Sequence, residues 1–455
     1  MNTKKSLWIA ALAGGLAVGT PEVRAASGQE EVNELDQRIK ILERKLEISE
    51  EAAATKAKEA PKFTADTKDG FSLSSADKSV QLKFRALVQG DARFFLNDDD
   101  KRLNDTFLLR RVRPTLEGSL GPHVGFRVTP DFAGSQSVLF DAYGDLKLSP
   151  LANFRVGKSK PPVGLERLQS ASDTAFIERG LPTQLVPTRD VGVSYFGSIG
   201  TGVVEYSLGV YNGVVDGGNA DSDTNDDKDF VGRLYLTPFK NSDIEALQGL
   251  SFGVAGSFGD QSGATNAPGL PSFRSNGQQT FFSYRTSTNA AQTAIADGER
   301  TRIAPQLYYA VGPVGVLGEY TISEQEVANG KGSDKLQNDS WGVTLSYVLT
   351  GENASFKGVQ PLIPLDLSKG QWGAVELVGR IGELNVDDDA FAKGYADPAR
   401  SAKQASNWGA GVNWYLTRNA KLSLNYEKTE FDGGAAKGAD RADEEIVFAR
   451  YQISY

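Results

Sequence analysis

Residues 80–89, with the sequence VQLKFRALVQ, alternate between apolar and mainly polar side chains. Every second residue from Val80 to Val88 is apolar, and Lys83 and Arg85 lie between them. Successive side chains of a β-strand point to opposite faces, so this stretch predicts a strand with one apolar and one polar face. The same pattern recurs to the end of the chain and decides the fold.

Sixteen runs of this kind follow one another, which is typical of a transmembrane β-barrel. They occupy residues 80–89, 106–118, 123–132, 137–148, 153–159, 190–197, 202–211, 229–237, 249–258, 300–311, 314–323, 339–349, 371–383, 406–416, 420–431 and 444–455. Backbone polar groups in a membrane must all be paired, so such a sheet has to close. The predicted fold is all-β: a 16-stranded antiparallel outer-membrane β-barrel after a short N-terminal helical segment.

The connections between the runs alternate in length, as they do in outer-membrane barrels. Tight turns are expected at residues 120–122, 149–151, 312–313 and 417–419. Long polar loops are expected at residues 96–105, 212–228, 324–338, 385–405 and 432–443. Residues 280–285 resemble a strand, but counting them as one would place the tight turn at residues 312–313 on the extracellular side. They are therefore assigned to an external excursion over 259–299. The segment 351–370 is long for a periplasmic turn, and the sequence gives no reason for its length.

The first 25 residues have the pattern of a secretory signal peptide. Lys4 and Lys5 precede an apolar run over residues 7–18, which is too short to span a membrane. Small residues around Arg24 place the predicted cut after Ala25. Cleavage would take the formal charge from −9 to −11 by removing a net charge of +2. An uncleaved anchor helix is the alternative. An exported chain with no Cys and no transmembrane helix is periplasmic, secreted or an outer-membrane barrel, and the strand pattern favours the barrel, in the outer membrane of a Gram-negative bacterium.

Residues 26–60 form a helical leader with a period of 3.5, and residues 61–79 are predicted to be a linker to a barrel over 80–455. The apolar residues spaced three and four apart are Val32, Leu35, Ile39, Leu42 and Leu46. This spacing is that of a coiled-coil seam, although it lasts only about two and a half heptads. The leader is therefore either a small, trimeric oligomerisation stalk or a solvated or disordered leader.

The composition excludes several classes of active site. The chain has no Cys and a single His, so disulfides, Cys-type zinc sites, thiol nucleophiles and two-His metal motifs are excluded. His123 follows Gly121 and Pro122 in a predicted turn, a poor place for a catalytic base. With 49 Lys+Arg against 58 Asp+Glu, the chain is too acidic for general nucleic-acid binding. We predict no enzyme activity, no catalytic residue, no metal and no cofactor, although this composition leaves open a hydrolase that uses two carboxylates.

Cations in the first third of the barrel fall in the phase that faces the lumen. They are Lys83, Arg85, Arg93, Arg111, Arg113, Arg127 and Arg155. An Arg or Lys facing lipid at mid-membrane costs about 2–4 kcal/mol, so alternation directs these side chains inward. Fixed cations in a narrow pore select anions. The alternative for each is a salt bridge inside the lumen, to Asp131, Asp141 or Glu117.

Residues 158–189 form the longest early connection, and this one is unusually apolar for a loop. Folding into the lumen as a constriction would bury its apolar side chains, which include Leu165, Leu168, Phe176, Ile177 and Leu181. An extracellular cap or a latch between subunits is the alternative.

Several motifs in order resemble the phosphate- and polyphosphate-selective porins of the O and P type. They are LRRVRP at 109–114, DAY at 141–143, VGKSKPPVGLE at 156–166, FIERGLP at 176–182, PTR at 187–189, IAPQLY at 303–308 and GEY at 318–320. The resemblance implies a trimeric 16-stranded barrel with a constriction loop and a row of Arg and Lys that conducts phosphate-type anions. The basic residues within matching motifs are Arg110, Arg111, Arg113, Lys158, Lys160, Arg167, Arg179 and Arg189. Of these, Arg110 is expected from strand alternation to point away from the lumen.

The sequence thus predicts a passive porin whose partners are phosphate, pyrophosphate or polyphosphate, outer-membrane lipid and two further copies of the chain. A general porin, or one for another substrate, is the first alternative. An exported β-rich hydrolase with two catalytic carboxylates is the second.

Overall fold

The computed structural model describes residues 22–66, 70–96, 103–223 and 225–455. Most of the predicted signal peptide, residues 1–21, lies outside the described residues. The chain divides into two compact units, with the boundary after Pro61. Within the described residues, no helix combines the length and the apolar character needed to cross a membrane.

The first unit contains one long helix, α1 (Glu22–Glu59). Its surface carries ion pairs spaced by one helical turn, Glu34–Arg38 and Asp36–Lys40, each at 2.7 Å. The five apolar residues of the predicted coiled-coil seam are 52–63% exposed. The helix thus has an uncovered apolar stripe, and its assembly into a coiled coil stays a prediction.

Deletion of residues 30–60 is expected to leave single-channel conductance unchanged, because the barrel closes its sheet without them. The measurement is conductance of the truncated and full-length proteins in planar lipid bilayers. A matched variant, Leu35→Gln with Leu42→Gln, keeps the helix length and removes the apolar stripe. A closed channel after the deletion would contradict this accessory role.

Sixteen antiparallel strands form the barrel of the second unit. They are β1 (Val80–Phe95), β2 (Thr106–Leu120), β3 (Val124–Asp131), β4 (Val138–Ser149), β5 (Ala152–Ser159), β6 (Asp190–Ile199), β7 (Val204–Tyr211), β8 (Asp229–Leu236), β9 (Ser251–Ser262), β10 (Ile295–Val311), β11 (Val314–Asn329), β12 (Gly332–Val348), β13 (Ala374–Asn385), β14 (Ala402–Tyr415), β15 (Ala420–Gly433) and β16 (Glu444–Ser454). Short helical turns lie at Leu165–Leu168, Leu181–Leu185, Glu245–Gln248, Ala290–Gln292, Leu367–Lys369, Asp389–Ala392 and Ala436–Gly438. Each of the sixteen predicted runs corresponds to one barrel strand, which confirms the predicted fold.

The barrel closes where β16 pairs with β1, from Ser454 opposite Leu87 to Ile446 opposite Phe95. Side chains then alternate between lipid and lumen, as β13 illustrates. Leu377 and Ile381 point outward and are exposed, whereas Arg380 between them is buried inside. The apolar exterior and polar interior are those expected of a membrane barrel.

The predicted linker contains a hairpin of Lys62–Asp66 and Gly70–Ser74. Its second strand pairs with the start of β1, where Phe71 lies opposite Phe84. The ring of the terminal Tyr455 contacts Phe71 edge-on at 5.7 Å between ring centroids. This hairpin extends the sheet beside β1, beyond the end of β16.

The predicted loop over residues 324–338 is wrong. β11 and β12 continue through it and leave only a tight turn at residues 330–331. Here the exterior no longer alternates, but backbone pairing continues, and Val327 and Leu336 of the extension are buried in a cluster that includes Phe281 and Tyr395. In contrast, Thr280–Ser283 pairs only with Ser272–Arg274, so it belongs to the predicted excursion and adds no barrel strand.

The connection between β12 and β13 contacts the inside of the barrel, which accounts for its length. Ala354 and Val359 are buried in a cluster with Tyr415. The Phe356 carbonyl accepts a hydrogen bond of 2.7 Å from Gln169, which lies in the β5–β6 connection. This segment therefore supports the lumenal part of that connection.

Candidate functional site

Residues 160–189, here called the constriction segment, fold into the lumen as predicted. Leu165, Phe176, Ile177 and Leu181 are buried, and Leu168 is partly buried. The short helical turn Leu181–Leu185 packs against β11, β12 and β13. The prediction of an inward constriction is confirmed over that of an external cap.

Main-chain groups of the constriction segment are held by side chains of the barrel wall. Glu319 of β11 accepts hydrogen bonds from the Leu165 and Glu166 amides at 2.7 and 3.2 Å. Asn425 of β15 accepts one from the Ile177 amide at 2.8 Å. Wall donors to its carbonyls are Arg380, Asn413, Lys421 and Arg450. Because buried backbone groups need partners, these contacts fix the segment against the wall formed by β11 and β13–β16.

A cavity of about 990 Å³ lies beside the constriction segment, and its lining is strongly basic. Among the described residues, twelve basic side chains and three acidic ones line it. The basic set is Arg85, Arg110, Arg111, Arg113, Arg127, Arg155, Lys160, Arg167, Arg179, Arg189, Arg274 and Arg418. It includes seven of the eight basic residues carried over from the family motifs. The lining of this cavity thus has the opposite sign from the chain as a whole.

Lys158 is the predicted site residue that the structure places outside this lining. Its ammonium donates to Asp221, in the connection between β7 and β8. Lys158 shares the strand phase of Val156, but Lys158 is 3% exposed and Val156 is 57% exposed. An ion pair with a distant loop therefore covers and compensates its charge.

Arg110 reaches the lumen although simple alternation places it outside. Gln89 of β1 lies opposite Arg111, and Gly90 lies opposite Leu109, so Arg110 is the extra residue of a β-bulge. A bulge re-aims one side chain without breaking the pairing on either side. Arg110 and its neighbour Arg111 therefore both line the cavity.

Glu178 is the central carboxylate of the site, and the sequence analysis did not identify it. It is 3% exposed, and it pairs with Arg110 at 2.5 Å and with Arg93 at 2.9 Å. Arg111 and Arg450 lie at 4.0 and 3.8 Å. Burial acts to raise the pKa of Glu178, but these arginines outweigh it and hold the pKa below the usual range. The group is an ionised counter-charge for four cations, two of which, Arg93 and Arg450, it shares with Asp91.

Other lumenal arginines are paired with carboxylates of neighbouring strands. Arg113 pairs with Asp131 at 2.6 Å, Arg189 with Asp141 at 2.6 Å, and Arg155 with Asp145 at 2.8 Å. Glu117 is shared by Arg85 at 2.7 Å and Arg127 at 2.5 Å. For Arg85, Arg113 and Arg127 the structure thus contains the salt-bridge alternative of the sequence analysis, whereas Arg155 pairs with Asp145, which that alternative did not name.

Three cations of the constriction segment differ, because each donates only to main-chain carbonyls; they are here called the carbonyl-bound triad. Lys160 donates to the Leu168 and Gln169 carbonyls at 2.8 and 2.7 Å. Arg179 donates to the Glu166 and Gln169 carbonyls at 3.1 and 2.7 Å. Arg167 donates to the Thr183 carbonyl. Among the described residues, none of the three forms an ion pair with a carboxylate.

Two members of the triad lie very close together. Lys160 and Arg179 bind the same oxygen, that of Gln169. Burial lowers the pKa of the Lys160 ammonium well below its usual value, and the charges of Arg189 and Arg179 lower it further. The site therefore brings together three basic side chains that form no ion pair with a described carboxylate, although Asp141, Glu166 and Glu178 act on them from a greater distance.

Comparison with known proteins places this geometry in context. Residues 80–455 match the family described as phosphate-selective porin O and P. The chain is 22% identical over 424 residues to Porin O of Pseudomonas aeruginosa, covering 85% of this chain and 92% of that protein. The solved outer membrane channel DcaP of Acinetobacter baumannii has a similar fold, with a TM-score of 0.52 and 12% identity over 83% of this chain and 98% of that chain. The anion-selective porin from Comamonas acidovorans has a TM-score of 0.51, with 12% identity over 83% of this chain and all of that chain.

Proposed function

The chain belongs to the family of phosphate-selective porins O and P, and on that premise we propose that it is an anion-selective channel for passive uptake of phosphate, pyrophosphate or polyphosphate. As a porin of the Gram-negative outer membrane, it is a channel rather than an enzyme, so the hydrolase alternative is dropped. The finer proposal concerns which ions pass and which residues select them.

The observation that carries the proposal is the carbonyl-bound triad. Most other cations of the cavity have a carboxylate partner, so their charge is largely compensated. Lys160, Arg167 and Arg179 have none among the described residues, and all three line the cavity. A mobile anion that enters this space supplies the missing counter-charge.

The donor chemistry suits oxyanions of phosphorus. A guanidinium offers a planar fork of N–H donors that matches two oxygens of one phosphate, and a lysine ammonium adds a compact charge. The carbonyls that hold the triad are neutral acceptors, which an anion replaces without opening an ion pair. Contacts of this kind, repeated along the lumen, bind an ion weakly enough for it to move on.

The acidic composition of the whole chain agrees with this proposal once the charges are located. Acidic runs such as residues 98–100, 221–227 and 387–389 lie in predicted external loops. The cavity has an excess of basic over acidic residues, although the chain has the reverse. The negative net charge of the chain therefore reflects residues in the solvated loops. The residues that line the cavity present a positive charge to a permeating ion.

We further propose that three copies assemble, with lipid on the remaining outer surface. The uncovered apolar stripe of α1 is the surface on this chain that a coiled coil would cover. The Leu35→Gln and Leu42→Gln variant introduced above tests this part, since it should shift the assembly state in detergent while leaving the barrel folded.

Inhibition of chloride current by phosphate tests the proposed substrate class. Phosphate, pyrophosphate and a short polyphosphate are added in turn to a planar bilayer that conducts chloride through the protein. We expect each to reduce the chloride current in a saturable way, because a bound oxyanion occupies the triad. A conductance that rises linearly with salt, and that no phosphate species inhibits, would favour the general-porin alternative.

Anion selectivity is expected to fall as the pH rises. The lowered pKa of Lys160 means that its charge is present at low pH and is lost as the pH rises through that value. The facing Arg167, Arg179 and Arg189 keep their charge, because arginine stays protonated in proteins. The measurement is the reversal potential in a KCl gradient, recorded at several pH values below the usual lysine pKa of about 10.4.

Lys160→Arg is the matched control for this pH dependence, since it keeps a cation that does not titrate in the measured range. A flatter pH profile is expected for this variant. Equal slopes for the wild type and Lys160→Arg would exclude Lys160 as the titrating group.

A further inference from the structure

We propose that Phe140 is a positioning residue of the pore, whose ring separates and orients the guanidinium groups of Arg113 and Arg189. This role rests on the anion function proposed above, and it adds an apolar residue to a site otherwise described by its charges. Neither the family motifs nor strand alternation assigns Phe140 to the lumen.

The ring of Phe140 lies between two cations. The central guanidinium carbon of Arg113 is 3.5 Å from the ring centroid, and that of Arg189 is 4.1 Å from it. Two guanidinium groups at these distances would overlap if they shared one face, so they cover opposite faces. Each face of an aromatic ring is electronegative and attracts a cation, so one ring stabilises both arginines and holds them apart.

A β-bulge brings Phe140 into this position. Thr129 of β3 lies opposite Asp141 of β4, and Pro130 lies opposite Leu139, so Phe140 is the unpaired extra residue. Pro130 has no N–H to donate to the ladder, which is why pairing is interrupted here. Without the bulge, Phe140 would point outward, because its neighbour Asp141 points into the lumen. With it, Phe140 lines the cavity.

Each of the two arginines is also fixed at its Nε edge by a carboxylate. Arg113 Nε donates to Asp131 at 2.6 Å, and Arg189 Nε donates to Asp141 at 2.6 Å. Asp141 is the residue next to Phe140, so one bulge supplies both the ring and one of the carboxylates. In the described part of the chain, the Nη groups of Arg113 have no protein acceptor, and they remain available to an anion.

The ring therefore fixes the positions of Arg113 and Arg189 without changing the charge of the lumen. Removing it leaves all cations and carboxylates in place, but Arg113 and Arg189 lose the spacer between them. Their side chains then gain rotational freedom, which weakens binding that depends on two donors held in register. Anion preference due to total charge persists, whereas affinity for an oxyanion falls.

Phe140→Leu tests the positioning role, with Phe140→Met as a second variant that also lacks a ring. The phosphate concentration that halves the chloride current is expected to rise about threefold to tenfold, the size of a cation–π contact. Phe140→Tyr keeps both faces and is expected to stay within about twofold of the wild type. The reversal potential in KCl should be the same in all four proteins, because their lumenal charge is identical.

Phe154→Leu is the matched control, because the same change is made on the lipid-facing side of β5. Equal half-inhibiting phosphate concentrations in the wild type, Phe140→Leu and Phe140→Met would overturn the positioning role alone. A loss that Phe140→Tyr fails to rescue would also overturn it. If phosphate does not inhibit even the wild-type channel, both the proposed function and the role of Phe140 fall.

Discussion

Reversing the charge of Lys160 and Arg179 together is expected to abolish the anion preference of the channel and to favour cations. The two side chains share the Gln169 carbonyl, so both changes act at one point of the cavity. A unit charge about 5 Å from a permeating ion contributes about 3 kcal/mol at an effective dielectric constant of about 20. Replacing two such cations by carboxylates makes the same point repel anions.

The double variant Lys160→Glu, Arg179→Glu is measured by its reversal potential in a KCl gradient. Each single variant is expected to reduce anion selectivity by a smaller amount while the barrel still assembles. Lys240→Glu is the matched control, because Lys240 also donates to a carbonyl, that of Thr201 at 2.7 Å, but lies outside the cavity lining. An unchanged reversal potential in the double variant would remove the triad from the selectivity mechanism.

Replacing Glu178 by Gln is expected to destabilise the protein strongly and to make its stability depend on phosphate. The variant leaves Arg93, Arg110, Arg111 and Arg450 around a neutral side chain. Removing one partner of a buried ion pair costs about 3–5 kcal/mol, because the remaining charge is uncompensated. An anion bound beside these arginines supplies the negative charge that the variant lacks, so phosphate should stabilise the variant more than the wild type.

The unfolding free energy, measured with and without phosphate, tests this expectation. Glu205→Gln is the matched control, since Glu205 faces Arg233 at 4.0 Å and its side chain is 54% exposed. An exposed pair of this kind contributes at most about 1 kcal/mol. Glu178→Gln with wild-type stability, or with no phosphate dependence, would show that Glu178 is not the counter-charge of this cluster.

The period-two pattern predicted all sixteen strands because it depends only on neighbouring residues and on the lipid outside. It failed at residues 324–338, where β11 and β12 extend beyond the membrane and the outward face no longer has to be apolar. The inward fold of the constriction segment was also predictable, since its apolar residues require a covered surface.

The site was predictable only in part, because bulges and distant ion pairs are not local properties. Two bulges bring Arg110 and Phe140 into the lumen, and Gly90 and Pro130 opposite them are the local signals that were available. Lys158 is neutralised by Asp221, and Glu178 is paired with Arg93, residues far apart in sequence. Which lumenal cations remain without a carboxylate is therefore decided by the three-dimensional structure.

The reversal potential of the wild-type channel in an approximately tenfold KCl gradient tests the central claim, that uncompensated lumenal cations select anions. The account predicts a reversal potential with the sign of the chloride equilibrium potential, which moves toward zero when Lys160 and Arg179 are neutralised. A wild-type reversal potential with the sign of the potassium equilibrium potential would contradict it.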